Sequence, residues 1–186
     1  MDRPITGTNA TVRSGKRWGV ILAGGDGTRL RRLTRLICGD DRPKQFCPLV
    51  GETTLVEQTR IRAERSVPAE QILFPLSRSH EVFYAREAGV RPSQRIVQPE
   101  NKGTAPPILW SLLSIEQLDK DAVVAILPCD HHYSEERAFS EALESAFGVA
   151  SQRVGSVVLL GAPAQSPEIE YGWIELGPSA CDSPCS

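Results

Sequence analysis

The sequence predicts an α/β domain with a mostly parallel β-sheet and helices on both faces of the sheet. Short apolar segments alternate along the chain with segments whose apolar residues recur at helical spacing. The segment Ala122–Leu127 (AVVAIL) is continuous and rich in Val, as is typical of a strand buried on both faces. Such alternation of strands and helices favours a parallel sheet. The 186 residues are enough for one such domain.

The individual elements follow from local patterns. Strands are expected in the short apolar segments Arg17–Ala23, Gln71–Leu76, Arg95–Gln98, Ala122–Leu127 and Gly155–Leu160. Helices are expected where apolar and charged residues mix, at Glu52–Val67, around Glu81–Ala88, and at Thr104–Leu118 and Glu135–Val149. Ligands of parallel sheets bind beyond the carboxyl ends of the strands. The loops after Ala23 and Leu127 are therefore the expected ligand site.

Composition narrows the classes of function. The net charge is −2, so no polyanion is favoured and nucleic acid is not expected as a partner. No apolar run approaches the ~20 residues that span a bilayer, so no membrane is expected either. Residues 1–16 do not resemble a signal peptide and are expected to form a flexible arm, and residues 178–186 a disordered tail. Five cysteines without a Cys-x-x-Cys pair favour reduced thiols and a cytoplasmic location.

A glycine-rich loop follows the first predicted strand. Three glycines in four positions of Leu22–Leu30 (LAGGDGTRL) let the backbone approach a ligand closely and expose N–H groups to an anion. The basic residues that follow are Arg29, Arg31, Arg32, Arg35, Arg42 and Lys44. Backbone amides and cations together suit a triphosphate. From the glycines alone, a turn followed by a solvated basic face is an equally good interpretation.

Two common phosphate motifs do not fit this loop. A P-loop requires Gly-Lys followed by Ser or Thr, which is absent here. A dinucleotide fingerprint requires a third glycine, at the position that Leu30 occupies. A dinucleotide-dependent enzyme is therefore the weakest of the classes considered.

The glycine loop and Arg42-Pro43-Lys44-Gln45-Phe46 together resemble the signature of the sugar-1-phosphate nucleotidyltransferases, and Pro-Lys-Gln-Phe resembles the form found in mannose-1-phosphate guanylyltransferases. The resemblance implies a Rossmann-like fold of the nucleotide-diphospho-sugar transferase type over residues 17–177. It also implies that Arg29 and Lys44 neutralise charge on the triphosphate and on the leaving pyrophosphate. The implied phosphate-binding residues are Leu22, Ala23, Gly24, Gly25, Gly27, Thr28, Arg29 and Lys44.

A second segment, Gln98–Pro106, resembles the part of the guanylyltransferases that helps to hold the guanine base. Taken alone, the segment is a turn with a helix cap. The resemblance implies nucleotide contacts from Gln98, Gly103, Thr104 and Ala105. Since Gly103 replaces an asparagine of the family form, backbone groups there would have to contact the purine.

Two further segments extend the resemblance. Asp130 ends the strongest predicted strand, where a carboxylate is well placed to hold Mg²⁺ against phosphates but is also typical of a turn cap. The family's Pro-x-Asp-His segment, which Pro128–His131 resembles, implies that Asp130 is a catalytic residue and a metal ligand. Pro167–Glu175 resembles the segment that begins the sugar-phosphate side, which implies that Tyr171 and Gly172 lie near the sugar.

The resemblance implies that a sugar-1-phosphate oxygen attacks the α-phosphorus of GTP, with Mg²⁺ as cofactor, to give GDP-mannose and pyrophosphate. The expected partners are GTP and mannose-1-phosphate; self-association and association with a separate C-terminal half are left open. A second acidic metal ligand of the family has no match, so the fold is expected to be incomplete at its C-terminal side. The alternatives are a catalytically inactive nucleotide-binding module and a nucleotidyltransferase that uses another nucleotide and another sugar phosphate.

Overall fold

The computed structural model describes residues 16–153, 155–163, 166–167, 169 and 172–177. Its strands are β1 (Arg17–Leu22), β2 (Ile72–Ser77), β3 (Arg95–Gln98) and β4 (Val123–Pro128). Its helices are α1 (Arg31–Cys38), α2 (Leu55–Ala63), α3 (Glu81–Tyr84), α4 (Ala105–Leu118) and α5 (Glu136–Gln152). The predicted arm, apart from Lys16, and the predicted tail lie outside the described residues.

The four strands form one parallel sheet in the order β3–β2–β1–β4. The chain therefore builds outward from β1 to β3 and then crosses to the other side of β1, where β4 pairs with β1 from Arg17↔Val123 to Leu22↔Pro128. This register brings the carboxyl ends of β1 and β4 to the same edge. A parallel sheet binds ligands where its strand order reverses, and here that point lies between β1 and β4.

Apolar side chains are buried on both faces of the sheet, as the fold class requires. Val20 and Ile21 are adjacent in β1 and are both fully buried, although neighbouring side chains of a strand point to opposite faces. Ile21 belongs to a cluster with side chains of β2, α2 and α5, whereas Val20 packs with Ile115 of α4. The predicted α/β fold is therefore confirmed.

Most predicted elements are present with shifted ends. The helix expected from Glu52 begins at Leu55 because Thr54 caps it, its Oγ1 accepting the N–H of Glu57 at 3.3 Å. The helix expected around Glu81–Ala88 ends already at Tyr84. The helix at Ala105–Leu118 carries its two prolines in the first turn, as predicted. None of the described helices is both long and apolar enough to cross a membrane.

One expectation about secondary structure was wrong. The strand expected at Gly155–Leu160 is absent: the residues described there form a turn and irregular chain, and the side chain of Val157 is 86% exposed. An apolar sequence favours a strand only where a partner strand and a covering layer are present. The basic segment after the glycine loop, for which no element was predicted, forms α1, which ends at Gly39 in the left-handed conformation (φ 77°). Arg31, Arg32 and Arg35 of this helix are exposed, in agreement with a solvated basic face.

Candidate functional site

The glycine loop leaves β1 at the carboxyl edge of the sheet and passes close to two neighbouring segments. Gly27 has a φ of 60°, and a Cβ there would lie 3.0 Å from the backbone nitrogen of Lys44. A Cβ on Gly24 would lie 3.2 Å from Nε2 of Gln98, at the end of β3. Gly27 therefore needs glycine both for close approach to the backbone and for its conformation, whereas a Cβ on Gly24 would have to displace the Gln98 amide by a few tenths of an ångström. The side of the loop at Gly25 is open, with no atom within 4 Å of where a Cβ would be.

Gln45 holds this loop from beneath. Its side chain is 1% exposed, and its Nε2 donates hydrogen bonds to the carbonyl oxygens of Ala23 at 2.8 Å and Gly25 at 2.7 Å. Both N–H groups of the amide thus donate to carbonyl oxygens of the loop, and these two carbonyls point toward Gln45. No role was predicted for Gln45 from the sequence, although its position next to Lys44 in the same motif was an available signal.

Lys44 and Asp130 form an ion pair between Nζ and Oδ2 across the loop. Lys44 lies on a single 3₁₀ turn, Lys44–Phe46, whereas Asp130 follows β4. Burial opposes ionisation of Asp130, but the hydrogen bond and charge of Lys44 outweigh it and lower the pKa of this carboxyl. Thr59 of α2 supports the segment by donating from Oγ1 to the carbonyl oxygen of Cys129 at 3.3 Å. Two residues 86 positions apart thus meet at the predicted edge of the sheet.

Asp130 is the candidate ligand for a divalent cation at this site. Within the described part of the chain, no group of three or more His, Cys, Asp and Glu side chains could hold a metal. Mg²⁺ in proteins is commonly held by one or two carboxylates together with substrate phosphates and water. Asp130, partly exposed just beyond the carboxyl end of β4, fits that type of ligation.

A second polar bridge ties the glycine loop to the segment after β3. Asn101 donates from Nδ2 to Oδ2 of Asp26 at 3.0 Å, and His80 Nε2 lies 3.4 Å from Oδ1 of the same carboxylate. Burial lowers the pKa of His80, with Asp26 opposing the shift. Asn101 also accepts the N–H of Gly103 at 3.0 Å. The sequence did not indicate this bridge, because its members are ordinary polar residues far apart in the chain.

The structure brings most of the predicted site residues to one edge of the sheet. Leu22 is the last residue of β1, and the N–H of Ala23, which follows it, donates to the carbonyl oxygen of Pro75 at 3.2 Å. Thr28 and Arg29 lie in the exposed turn that follows the glycines. Gln98 is buried beside Gly24. Lys44 and Asp130 pair at the same edge of the sheet.

The remaining predicted residues lie further out or are not described. Gly103, Thr104 and Ala105 are exposed where α4 begins, with Gly103 in the left-handed conformation (φ 86°). Gly172 lies in an exposed irregular segment, and no contact described for it reaches the glycine loop, Lys44 or Asp130. Tyr171 lies outside the described residues. The sugar-phosphate side therefore stays a prediction.

A parallel sheet with a glycine loop, a lysine and an aspartate at its switch point defines an α/β nucleotide-binding domain. Comparison with known proteins makes this class more specific. The family described as nucleotidyl transferase matches residues 18–182, and the chain belongs to that family. The resemblance that the motifs predicted is thus confirmed.

The relatives are enzymes and biosynthesis proteins of bacteria. The chain is 35% identical over 161 residues to the xanthan biosynthesis protein XanB of Xanthomonas campestris and 35% over 164 residues to the alginate biosynthesis protein AlgA of Pseudomonas aeruginosa. It is 31% identical over 180 residues to the mannose-1-phosphate guanylyltransferase ManC of Salmonella typhimurium. These alignments cover 85%, 87% and 92% of this chain but 33%, 33% and 36% of the relatives. The chain thus spans about a third of their length.

A solved structure shows the same fold. The crystal structure of mannose-1-phosphate geranyltransferase from Thermus thermophilus is similar with a TM-score of 0.60 and 34% sequence identity. The similarity covers 73% of this chain and 38% of the other. The nucleotide-sugar transferase type of the fold is therefore supported by structure as well as by sequence.

Proposed function

We propose that this chain carries the nucleotide-binding part of a mannose-1-phosphate guanylyltransferase, which joins GTP and mannose-1-phosphate to give GDP-mannose and pyrophosphate. The observation that carries the proposal is the ion pair of Lys44 and Asp130 across an open glycine loop. The family supports nucleotidyl transfer, and the name of the Salmonella relative supports the choice of nucleotide and sugar.

The glycine loop would bind the triphosphate through its backbone. With two of its carbonyls held inward by Gln45, the loop can present N–H groups to phosphate oxygens on its open side. Arg29 follows directly and would add a guanidinium that stays protonated and can hold two oxygens at once. These groups stabilise the charge that develops when the bond between the α- and β-phosphates breaks.

Lys44 would act on the same phosphates. In the described structure its ammonium neutralises Asp130. When a triphosphate and a cation arrive, Lys44 would turn to the phosphate oxygens, and Asp130 would become a ligand of the cation. The Mg²⁺ bound there would supply charge neutralisation and alignment of phosphate oxygens. The sugar phosphate is already an anion, so its oxygen attacks the α-phosphorus without a protein nucleophile, and pyrophosphate leaves.

The choice of base depends on the segment after β3. The N–H of Gly103 is already donated to Asn101, which leaves the Gly103 carbonyl and the groups of Thr104 and Ala105 to contact a purine. Gln98, buried against the glycine loop, would set the distance between base and phosphates. The choice of GTP over another nucleotide is part of the proposal and is supported by the name of the Salmonella relative.

The test is release of pyrophosphate from GTP, Mg²⁺ and mannose-1-phosphate. We expect turnover by the chain, and loss of at least about tenfold on Lys44→Ala or Asp130→Asn, since one charge-assisted hydrogen bond is worth about 1.5–3 kcal/mol. Lys120→Ala is the matched control, because this exposed lysine precedes β4 and lies at the opposite edge of the sheet. Turnover that is equal in all three variants would contradict the assignment.

A catalytically inactive nucleotide-binding module is the second candidate. Among the described residues, the absence of any cluster of three or more metal-ligating side chains favours it, since many phosphoryl-transfer sites position their cations with more than one acidic group. Calorimetric titration with GTP and Mg²⁺ distinguishes the two. Binding of GTP that Lys44→Ala weakens, without any release of pyrophosphate on addition of mannose-1-phosphate, would support the module. Parallel titrations with UTP and dTTP test the choice of nucleotide.

A further inference from the structure

Two thiols face each other at the base of the segment that carries Lys44. We propose that Cys38 and Cys47 form a reversible dithiol–disulfide site, whose closure changes the position of the Lys44–Phe46 turn. The disulfide site stands on geometry alone. Its effect on ligand binding rests on the proposed function.

The geometry of the pair already approaches that of a disulfide. The Sγ atoms of Cys38 and Cys47 are 3.0 Å apart. A disulfide bond is about 2.05 Å long, so the sulfurs need to approach by about 1 Å. Cys38 is the last residue of α1, and Cys47 directly follows the Lys44–Phe46 turn. The N–H of Cys47 donates to the carbonyl oxygen of Lys44 at 3.1 Å, which couples the second thiol to the turn.

The two thiols differ in access, which sets the order of reaction. Cys38 is half-buried, whereas Cys47 is fully buried. Burial, and then the hydrogen bond with Cys38, raises the pKa of Cys47 to about 12. Because an oxidant in solution can reach only the more accessible thiol, Cys38 reacts first, and Cys47 resolves because its sulfur already lies 3.0 Å away. The third described cysteine, Cys129, is buried in the core and is not part of the contact between Cys38 and Cys47, so it takes no part.

The oxidant is a small-molecule disulfide, such as oxidised glutathione. The Cys38 thiolate attacks one sulfur of the oxidant; a protein–glutathione disulfide forms and one glutathione thiolate leaves. The Cys47 thiolate then attacks Sγ of Cys38 and releases the second glutathione thiolate. The two protons lost by the cysteines go to the two released thiolates. The protein has lost two electrons and the oxidant has gained them.

The loop between the two cysteines transmits the change. Arg42 braces it, donating to both carboxylate oxygens of Asp40 at 2.8 and 2.9 Å and to the carbonyl oxygen of Phe46 at 3.3 Å. Arg42 also lies over the ring of Phe83, 5.8 Å from its centre. A braced loop moves as a unit, so drawing Cys47 toward α1 shifts the Lys44 turn relative to Asp130. A displacement of about 1 Å can reduce a reaction rate by about 10²-fold.

The disulfide between Cys38 and Cys47 is tested on the full chain with Cys181 and Cys185 replaced by serine, which removes the thiols outside the described residues. The protein is equilibrated with oxidised and reduced glutathione at several ratios, blocked with an alkylating agent and digested for mass spectrometry. We expect a Cys38–Cys47 cross-link that excess reduced glutathione removes and that Cys38→Ser abolishes. Cys47→Ala is the second variant and is expected to stop at a glutathione adduct on Cys38. The proposal is overturned if the protein that keeps both Cys38 and Cys47 forms only a glutathione adduct, or if it forms no cross-link at all.

The effect on the turn is read out with and without nucleotide. Hydrogen–deuterium exchange of peptides covering residues 38–47 is expected to slow in the oxidised form and to be unchanged by the oxidant in Cys38→Ser. Equal exchange in both forms would overturn the coupling to the Lys44 turn. Calorimetry with GTP and Mg²⁺ is expected to show about tenfold weaker binding after oxidation, restored by reduction. If the reduced protein binds no GTP, the proposed function fails, while cross-link and exchange still decide the disulfide site.

Discussion

The side-chain amide of Gln45 donates to the carbonyl oxygen of Gly25 at 2.7 Å, and this bond fixes the direction in which the glycine loop faces. The same nitrogen holds Ala23, the last buried residue before the loop. Gln45 is itself buried. A loop rich in glycine loses more conformational entropy than other sequences when it is ordered, so a single buried amide with two bonds is an efficient way to hold it.

The first prediction concerns this anchor. Gln45→Met keeps the size of the side chain but removes both donors, and two loop carbonyls then lose their partner. We expect a loss of about 1–3 kcal/mol in the free energy of unfolding, measured with urea. GTP binding by calorimetry should weaken about tenfold or more, because the loop is no longer preorganised. Gln117→Met on the exposed side of α4 is the matched control and should change neither quantity. Unchanged GTP affinity in Gln45→Met would show that the loop is held by other groups.

The second prediction compares two glycines. Gly27→Ala places a Cβ at φ 60° and 3.0 Å from the backbone of Lys44, so we expect a loss of about 1–2 kcal/mol in unfolding free energy. Gly148 lies within α5, and no atom of a neighbouring segment lies within 4 Å of where its Cβ would be. Gly148→Ala should therefore stabilise the protein by about 0.5–1 kcal/mol. Denaturant unfolding measures both, and effects of the same sign would refute the conformational argument.

Sequence patterns predicted the parts of this structure that are set by residues close to one another in the chain, such as single strands and short motifs. The apolar continuity of Ala122–Leu127 predicts β4, and Asp130 follows as the first acidic residue beyond that strand. Lys44 was found because it lies in a recognisable motif. The contact of Asn101 with Asp26 could not be found in this way, since 75 positions separate two residues that no periodicity relates. The segment Gly155–Leu160 shows the opposite kind of error. Its apolar residues predict a strand, but no strand forms there among the described residues, because none of them pairs with it.

The third prediction is a pH dependence from His80. Burial lowers the pKa of this imidazole below its ordinary value of 6.5, against the opposing charge of Asp26 and with the help of Arg31. The unfolded chain therefore binds a proton more readily than the folded one. The stability contributed by neutral His80 is present above pH 6.5 and is lost as the pH falls toward the folded-state pKa.

Unfolding free energies between about pH 5 and pH 7.5, a window around the ordinary pKa of histidine, test this sign. His80→Gln should flatten the decline on the acid side. A steeper decline in His80→Gln would mean that Asp26 outweighs burial and that protonated His80 stabilises the fold.

The fourth prediction concerns Arg62, a buried cation that joins α2 to α5. Its side chain is 5% exposed, pairs with Glu136 at 2.8 Å and lies over the ring of Tyr133 at 4.8 Å from the centre. Arg65 pairs with the same carboxylate at 3.1 Å, but its side chain is 46% exposed. Arg62→Met should lower the unfolding free energy by about 1–3 kcal/mol, because it removes charge-assisted hydrogen bonds from a buried position. Arg65→Met should cost less than about 1 kcal/mol, as exposed ion pairs do. Since both variants remove one positive charge beside Glu136, equal losses would show that net charge rather than burial sets the strength of this connection.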